Sequence, residues 1–316
     1  MQIVQPTVEE ATAGLRALVT ILTVDGVLSP VEEHMLDAAQ RYILRTELEL
    51  DSLEPISPEQ LAAAMTRPVI REQFAGAMVI HAFASGEPDP RYLEHIEAFS
   101  AALGVRVPEV DTLQRWTQER RALLRYDVIR RMYIGEGLAR LYEDSGFQGI
   151  ARALGGFLGL REEPELAARY QALGELPQGS LGRVLFDHYR ENNFPLPGEA
   201  HGAPEMIVIH DLAHVIGGYS TAPEGELQVA AFSAGFRREG VWSVLLFAMC
   251  QFDLGIQVAP VAEPLVGNLD PDRFLAAFVR GARMTVDLFG DWDPWPVMDV
   301  QLDELRERYG IGPAPS

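Results

Sequence analysis

The sequence predicts an almost entirely α-helical protein, and three observations lead there. Polar caps, often with proline just inside them, open successive segments whose apolar residues follow the 3.6-residue period of a helix. Glycines close several of these segments, where a left-handed residue ends a helix at least cost. Alternating apolar and polar runs bounded by hairpin turns are nearly missing, since short candidates such as Met206 to Ile209 run straight into helical signals. The expected architecture is all-α, with two helical domains, residues 1–122 and 123–316, joined by a long amphipathic helix.

Each element has a local cause. Ser29-Pro30-Val31-Glu32 supplies an N-cap, a proline at the first helical position and a glutamate for a capping box. Ser57-Pro58-Glu59, Asp89-Pro90 and Asp270-Pro271 open helices in the same way, and Gly104, Gly290 and Gly310 suit helix ends. The turn from Asp25 to Pro30 lies over that from Ser85 to Pro90, a faint repeat of two helix-turn-helix units that would stack into a small bundle. Val110 to Tyr142 reads as the joining helix, with Leu113, Trp116, Leu123, Leu124, Ile129, Met132 and Tyr133 on its apolar side. Its arginines, among them Arg115, Arg120, Arg121, Arg125 and Arg131, form the chain's basic stretch. They are expected to pair with acidic surfaces, an anionic-lipid surface being the alternative. Val241 to Phe252, apolar except for Ser243 and Gln251, reads as a central core helix too short to span a bilayer.

Composition narrows the chemistry. The 316 residues contain 26 arginines and no lysine, which excludes a lysine Schiff base and a P-loop. The single cysteine, Cys250, excludes an intramolecular disulfide and a thiolate metal cluster and points to a reducing compartment. A formal net charge of −20, spread over both halves of the chain, makes nucleic acid an unfavourable partner. The start of the chain lacks the charged-then-apolar pattern of a signal sequence. Histidines, carboxylates and hydroxyls remain to carry any reaction.

Four of the seven histidines, His188, His201, His210 and His214, fall within 27 consecutive positions. His210-Asp211-Leu212-Ala213-His214 is followed, eleven residues later, by Glu226. Residues four apart on a helix differ by about 40° around the axis and about 6 Å along it, so both imidazoles can reach one ion. Pro204 and Glu205 suit the first turn of this helix and Gly217-Gly218 its end. Thr221-Ala222-Pro223-Glu224 should cap the next helix, on which Glu226 shares a face with Val229, Ala230 and Ser233 and so points inward. A buried carboxylate needs a partner. Two imidazoles and one carboxylate leave coordination positions open, as at catalytic zinc and non-haem iron centres, so the expected cofactor is a divalent ion, zinc or iron. Asp211 either joins the ligands or orients a ligand or bound water from behind them. Two core histidines satisfied by backbone carbonyls are the alternative to a metal site. Arg183, beside a glycine-rich turn, could pair with a substrate carboxylate or form a surface salt bridge, and Tyr219 is a second candidate for substrate binding.

The pattern H-D-x-x-H-x(11)-E does not stand alone. Pro177-Gln178-Gly179-Ser180-Leu181-Gly182-Arg183, Gly225-Glu226, Phe232, Arg280-Gly281-Ala282-Arg283, Asp291-Trp292, and Leu305-Arg306 before Tyr309-Gly310-Ile311 accompany it. Over about residues 125–312 the chain thereby resembles the ubiquinone (coenzyme Q) biosynthesis family of peripheral inner-membrane proteins. The resemblance implies an all-α domain with a metal site beside an apolar, lipid-accessible cavity. Its ligands would be His210, His214 and Glu226, with Asp211 as fourth ligand or as the catalytic group orienting water or substrate. It also implies a prenylated aromatic precursor whose ring carboxylate is replaced by hydroxyl, other enzymes of the pathway as partners, and a protein peripheral to the inner face of the membrane; a cytoplasmic location and a homo-oligomer are expected as well. A non-catalytic lipid or quinone scaffold with a structural metal is the second reading and a zinc hydrolase the third. A closed shell of four ligands would favour the scaffold, and an open position the enzyme.

Over roughly residues 8–110 the turn Asp25, Gly26, Ser29, Glu32 resembles the D-G-x-x-S-x-x-E turn of the tellurite-resistance TerB-like family. That resemblance implies a second divalent-cation site at Asp25 and Glu32. The second copy of the repeat has Ser85 and Tyr92 in their places, and the residues alone read as a glycine turn followed by a capping box. Trp292, Pro294, Trp295 and Pro296 are expected to form a turn packed against the last helix, with a lipid-facing lip as the alternative.

Overall fold

The computed structural model describes residues 3–24, 26–86, 89–131, 139, 141–143, 145–148, 151, 162–258 and 263–313. Among them every regular element is helical, and the extended contacts are two isolated bridges, Ser180 with Gln301 and Leu254 with Val266. The all-α expectation holds.

Capping chemistry builds the first third. The Glu32 N–H donates to Ser29 Oγ, and the Glu32 carboxylate accepts the Ser29 N–H at 2.7 Å, which opens α2 (Pro30–Ala39) after α1 (Val8–Leu22). Ser57 and Gln60 do the same for α3 (Pro58–Ala64). Asp89 caps α5 (Pro90–Leu103), which follows α4 (Pro68–Ala84) and ends at Gly104 with φ 68°. The repeat has a physical counterpart. Tyr92 lies sixty residues after Glu32, and its hydroxyl donates to Glu32 Oε1 at 3.1 Å, both side chains being buried. Equivalent positions of the two units therefore meet.

The joining helix is not continuous, which corrects the reading of Val110 to Tyr142. The helix α6 (Glu109–Thr117) stops, Glu119 takes a φ of 55°, and α7 (Arg121–Arg131) begins in a new direction. Buried Asp127 ties the two together. It accepts from Thr112 Oγ1 at 3.0 Å and pairs with Arg115 and, at 3.2 Å, with Arg131. Part of the basic stretch is thus turned inward, while Arg120, Arg121 and Arg125 are exposed. Residues 132–138, and with them part of the expected helix, lie outside the described residues.

The remaining helices are α8 (Pro164–Gln171), α9 (Leu181–Glu191), α10 (Val208–Gly217), α11 (Pro223–Phe236), α12 (Val241–Phe252), α13 (Pro271–Ala282) and α14 (Leu302–Arg308). The close pair is α11 and α13. A Cβ on Gly235 would stand 2.2 Å from the Phe278 carbonyl oxygen, and one on Gly281 2.0 Å from that of Phe232, so only glycine allows the approach. The core helix expected at Val241 to Phe252 is α12, buried along nearly its whole length. Gly310 follows α14 with φ 79°, as expected, but Gly290 closes a short turn after Asp287, because α13 has already ended at Ala282. No described helix is long and apolar enough to cross a membrane.

One apolar core runs from α1 to α14 across the expected boundary at residue 122. Trp242 of α12 packs against α4 at Gly76, where an added Cβ would stand 2.1 Å from the indole. Asp272 of α13 accepts from Arg41 and, at 2.9 Å, pairs with His34 of α2. Gly76→Val should therefore displace Trp242 and lower the urea midpoint by an amount equivalent to about 1–3 kcal/mol; an unchanged midpoint would show that this contact does not hold the two parts together.

Candidate metal centre

The helix α10 begins at Val208, after a single 3₁₀ turn at Glu205–Ile207, so Pro204 precedes that turn and does not open the helix itself. The helix ends at Gly218, whose φ of 74° lets the chain reverse. Ala222, in extended conformation, stands at the N-cap of α11. Thr221 is not the cap, because its hydroxyl donates instead to Asn192 Oδ1 at 2.7 Å. The first turn of α11 lies so close to the reversal that a Cβ on Gly225 would be 2.0 Å from the Ser220 carbonyl oxygen. This close approach brings Glu226 back over the histidines.

Four candidate ligand atoms from three residues converge there, two imidazole nitrogens and both Glu226 carboxylate oxygens. His210 Nε2 stands 3.1 Å from His214 Nε2 and 3.3 Å from Glu226 Oε2, and His214 Nε2 is 3.3 Å from Glu226 Oε1. Donors bound at about 2.0–2.1 Å to one ion lie about 3.3–3.4 Å apart on a tetrahedron and about 2.9–3.0 Å apart on an octahedral face. The observed separations, with each imidazole facing a different Glu226 oxygen, lie within this range, so the cluster suits zinc and iron alike.

The tautomer of His214 fits a cation as well. His214 Nδ1 is 3.1 Å from the Tyr219 carbonyl oxygen, which can only accept, so Nδ1 carries the proton and Nε2 of the neutral ring presents its lone pair. With His210 Nε2 only 3.1 Å from that lone pair, a proton or a metal ion must lie between the two nitrogens. His214 is buried, whereas the side chains of His210 and Glu226 are each 20 % exposed, which leaves one side of the triangle open. Burial alone would raise the Glu226 carboxyl, but its interactions with the His210 and His214 rings outweigh it and hold Glu226 well below the usual carboxylate range. For His210 burial works downward, and the hydrogen bond and charge of Glu226, with the charge of Asp211, overcome it and raise the imidazole.

Asp211 stands outside the three-residue cluster. Its Oδ2 accepts from the buried Tyr189 hydroxyl, which burial and the Asp211 charge push upward, so that tyrosine remains a donor. Arg183 is occupied: Nε pairs with Asp187 at 2.9 Å and Nη1 donates to the Gly174 carbonyl at 2.9 Å. The Tyr219 side chain is also committed, packed on Phe232 with its hydroxyl 3.3 Å from Arg280, and it is the backbone carbonyl of this residue that serves the site. At the second candidate site Glu32 is engaged by Ser29 and Tyr92, and Asp25 lies outside the described residues.

Three residues matter more here than the sequence suggested. Arg280 donates to the Gly217 carbonyl at 2.7 Å, and Arg306 to those of Ile216 and Val215 at 3.0 and 3.1 Å. They satisfy the last carbonyls of α10 and place positive charge at its C-terminus. The third is His188 of α9, whose ring lies 5.9 Å from that of His214 with 26° between planes. Its Nε2 is buried with no hydrogen-bond partner among the described residues, and burial lowers its basicity. The histidine cluster was the available signal for it. The helix α9 is itself fixed by the Gln178-to-Gly182 segment, since the Leu181 and Gly182 N–H groups donate to the Val300 and Met298 carbonyls at 2.9 and 2.8 Å. The tryptophan turn is packed, with Trp292 Nε1 donating to the Tyr309 hydroxyl at 3.1 Å and Trp295 lying between Tyr170 and the Arg169 guanidinium.

No family model matches the chain, and no curated protein sequence matches it. Among solved structures, a Nostoc punctiforme PCC 73102 protein provisionally assigned to ubiquinone biosynthesis is 19% identical. The match covers 77% of this chain and 98% of that one, with a TM-score of 0.31. A likeness of that strength carries no argument about activity or ligand.

The two shifted groups set opposite pH dependences. His210 is raised above its ordinary 6.5, so in the ion-free protein its stabilisation is full below that value and is lost as pH rises through the folded pKa. Glu226 is depressed below its ordinary 4.5, so its contribution is present above that value and is lost as pH falls. Ion-free protein should be most resistant to urea in the mildly acidic range, and zinc affinity should rise with pH through the His210 titration, because the ion must displace that proton. Zinc affinity independent of pH from 5 to 8 would contradict the assignment of His210.

Proposed function

We propose that the protein binds one divalent ion, zinc or iron, through His210, His214 and Glu226 and uses it on a prenylated aromatic precursor in ubiquinone biosynthesis. The observation that carries the metal is the convergence of two imidazole nitrogens and the Glu226 carboxylate at 3.1–3.3 Å, with His210 and Glu226 partly exposed on one side. The substrate class is supported by the sequence blocks that resemble the ubiquinone-biosynthesis family, several of which converge on α10: Arg280 and Arg306 hold its end, and Gly225 places Glu226.

The proposed reaction replaces the ring carboxylate by hydroxyl. The ring carbon loses carbon dioxide and gains oxygen, a two-electron oxidation that requires an external oxidant such as dioxygen. Iron suits that chemistry, whereas zinc would polarise a carbonyl or activate water. Three protein ligands with an open side favour an enzyme over a scaffold whose metal is structural. The chain's own groups divide the remaining work. Asp211, held by Tyr189, stands beside His210 outside the ligand cluster, and His188 offers a desolvated Nε2 next to His214.

Elemental analysis of purified protein should find about one transition-metal equivalent per chain, and His214→Ala should hold almost none. Cells lacking the protein should accumulate the carboxylated precursor. Equal metal in the variant would overturn the site, and normal quinone with no accumulated precursor would overturn the pathway.

A further inference from the structure

We infer that the junction between the first helices and α12–α13 contains a second, metal-independent binding site, for a small neutral apolar molecule that carries one hydroxyl group. A cavity of about 50 Å³ lies there, lined by Leu18, Met35, Phe74, Leu245, Leu275 and Phe278 from α1, α2, α4, α12 and α13. The side chains in its wall that carry polar atoms are Gln73, His81 and Trp242; Gln73 Oε1 already accepts the Val4 N–H at 3.0 Å, and the Trp242 indole N–H can only donate.

His81 decides what the cavity can take. It is only 5% exposed, and its Nδ1 lies 2.8 Å from the Ala77 carbonyl one turn back on α4. A carbonyl accepts only, so Nδ1 bears the proton and Nε2, directed away from its own helix, is a lone-pair acceptor. That atom is buried and has no hydrogen-bond partner among the described residues. Burial pushes the ring down to about 4, so it stays neutral at physiological pH. An unmade hydrogen bond at a buried acceptor is costly, and a ligand that donates to it removes the cost.

The walls choose among donors. One water needs roughly 10–15 Å³ and about two to four polar partners, and this cavity has the room but offers few partners. An ammonium group would lose its hydration without a counter-charge, and a carboxylate has no proton to give. A neutral hydroxyl on an apolar body matches both the acceptor and the walls. The backbone beside the cavity is also unusual. Ile43 and Leu44, which line it, belong to a π-helical turn at Gln40–Leu44 that ends at Arg45 with φ 56°. Such turns are rare and concentrate where ligands bind.

The test uses the full chain with 1-propanol as the hydroxyl probe and xenon as the purely apolar one. Methyl resonances of Met35, Leu245 and Leu275 report occupancy. Both probes should perturb the wild type. His81→Leu should keep xenon and bind propanol about five- to tenfold more weakly, the worth of one neutral hydrogen bond. Leu245→Phe, which fills the space, should lose both probes and serves if His81→Leu does not fold. Equal propanol binding in wild type and His81→Leu, or no response to either probe, would overturn the inference. So would an ordered water on His81 Nε2 in a crystal structure of the protein without probe. Metal content should be the same in all three proteins, so failure here leaves the metal assignment standing, and failure of that assignment leaves this one.

Discussion

The hydrogen bond from His214 Nδ1 to the Tyr219 carbonyl is the interaction on which the site depends. It fixes the tautomer, aims Nε2 at Glu226, and forms only if the chain reverses within the few residues after His214. Gly218 supplies that reversal. Arg280 and Arg306 hold the carbonyls of Val215 to Gly217, which a helix end would otherwise leave to water, and Arg280 also reaches the Tyr219 hydroxyl. The end of the chain, through Arg280 and Arg306, therefore acts on the site without touching it.

The other helices serve the same end at greater distance. The glycine contacts hold α11 close against α13, and the bonds from Leu181 and Gly182 to the C-terminal segment place α9, with His188 and Tyr189, beside α10. The first helices pack on α12 and α13 through Trp242 in its glycine notch and through Asp272. A change at Gly76 or Asp272 would thus be felt first as a change in packing between the two halves of the core.

Much of this was legible in the sequence because it rests on local chemistry. Ser29 with Glu32, Ser57, Asp89 and Asp270 open helices as their capping groups dictate, and the spacing of His210, His214 and Glu226 sufficed to bring them together. What escaped depended on partners far apart in the chain. The apolar pattern of Val110 to Tyr142 continues through Glu119, but Asp127 folding back onto Arg115 and Thr112 breaks the helix there. Arg183 and the Tyr219 side chain had the right chemistry for a substrate and were already taken by Asp187, Gly174, Phe232 and Arg280. The roles of Arg280, Arg306 and His188 could not be read without knowing which helix end or ring they would meet.

The central claim is that one ion sits on the triangle formed by His210, His214 and Glu226. Anomalous diffraction at the metal edge, from crystals of the protein loaded with zinc or ferrous iron, tests it most directly. The account predicts a single peak about 2.0–2.2 Å from both Nε2 atoms and from a Glu226 oxygen, with Asp211 outside bonding distance. A peak elsewhere, or none at this triangle in fully loaded crystals, would contradict it.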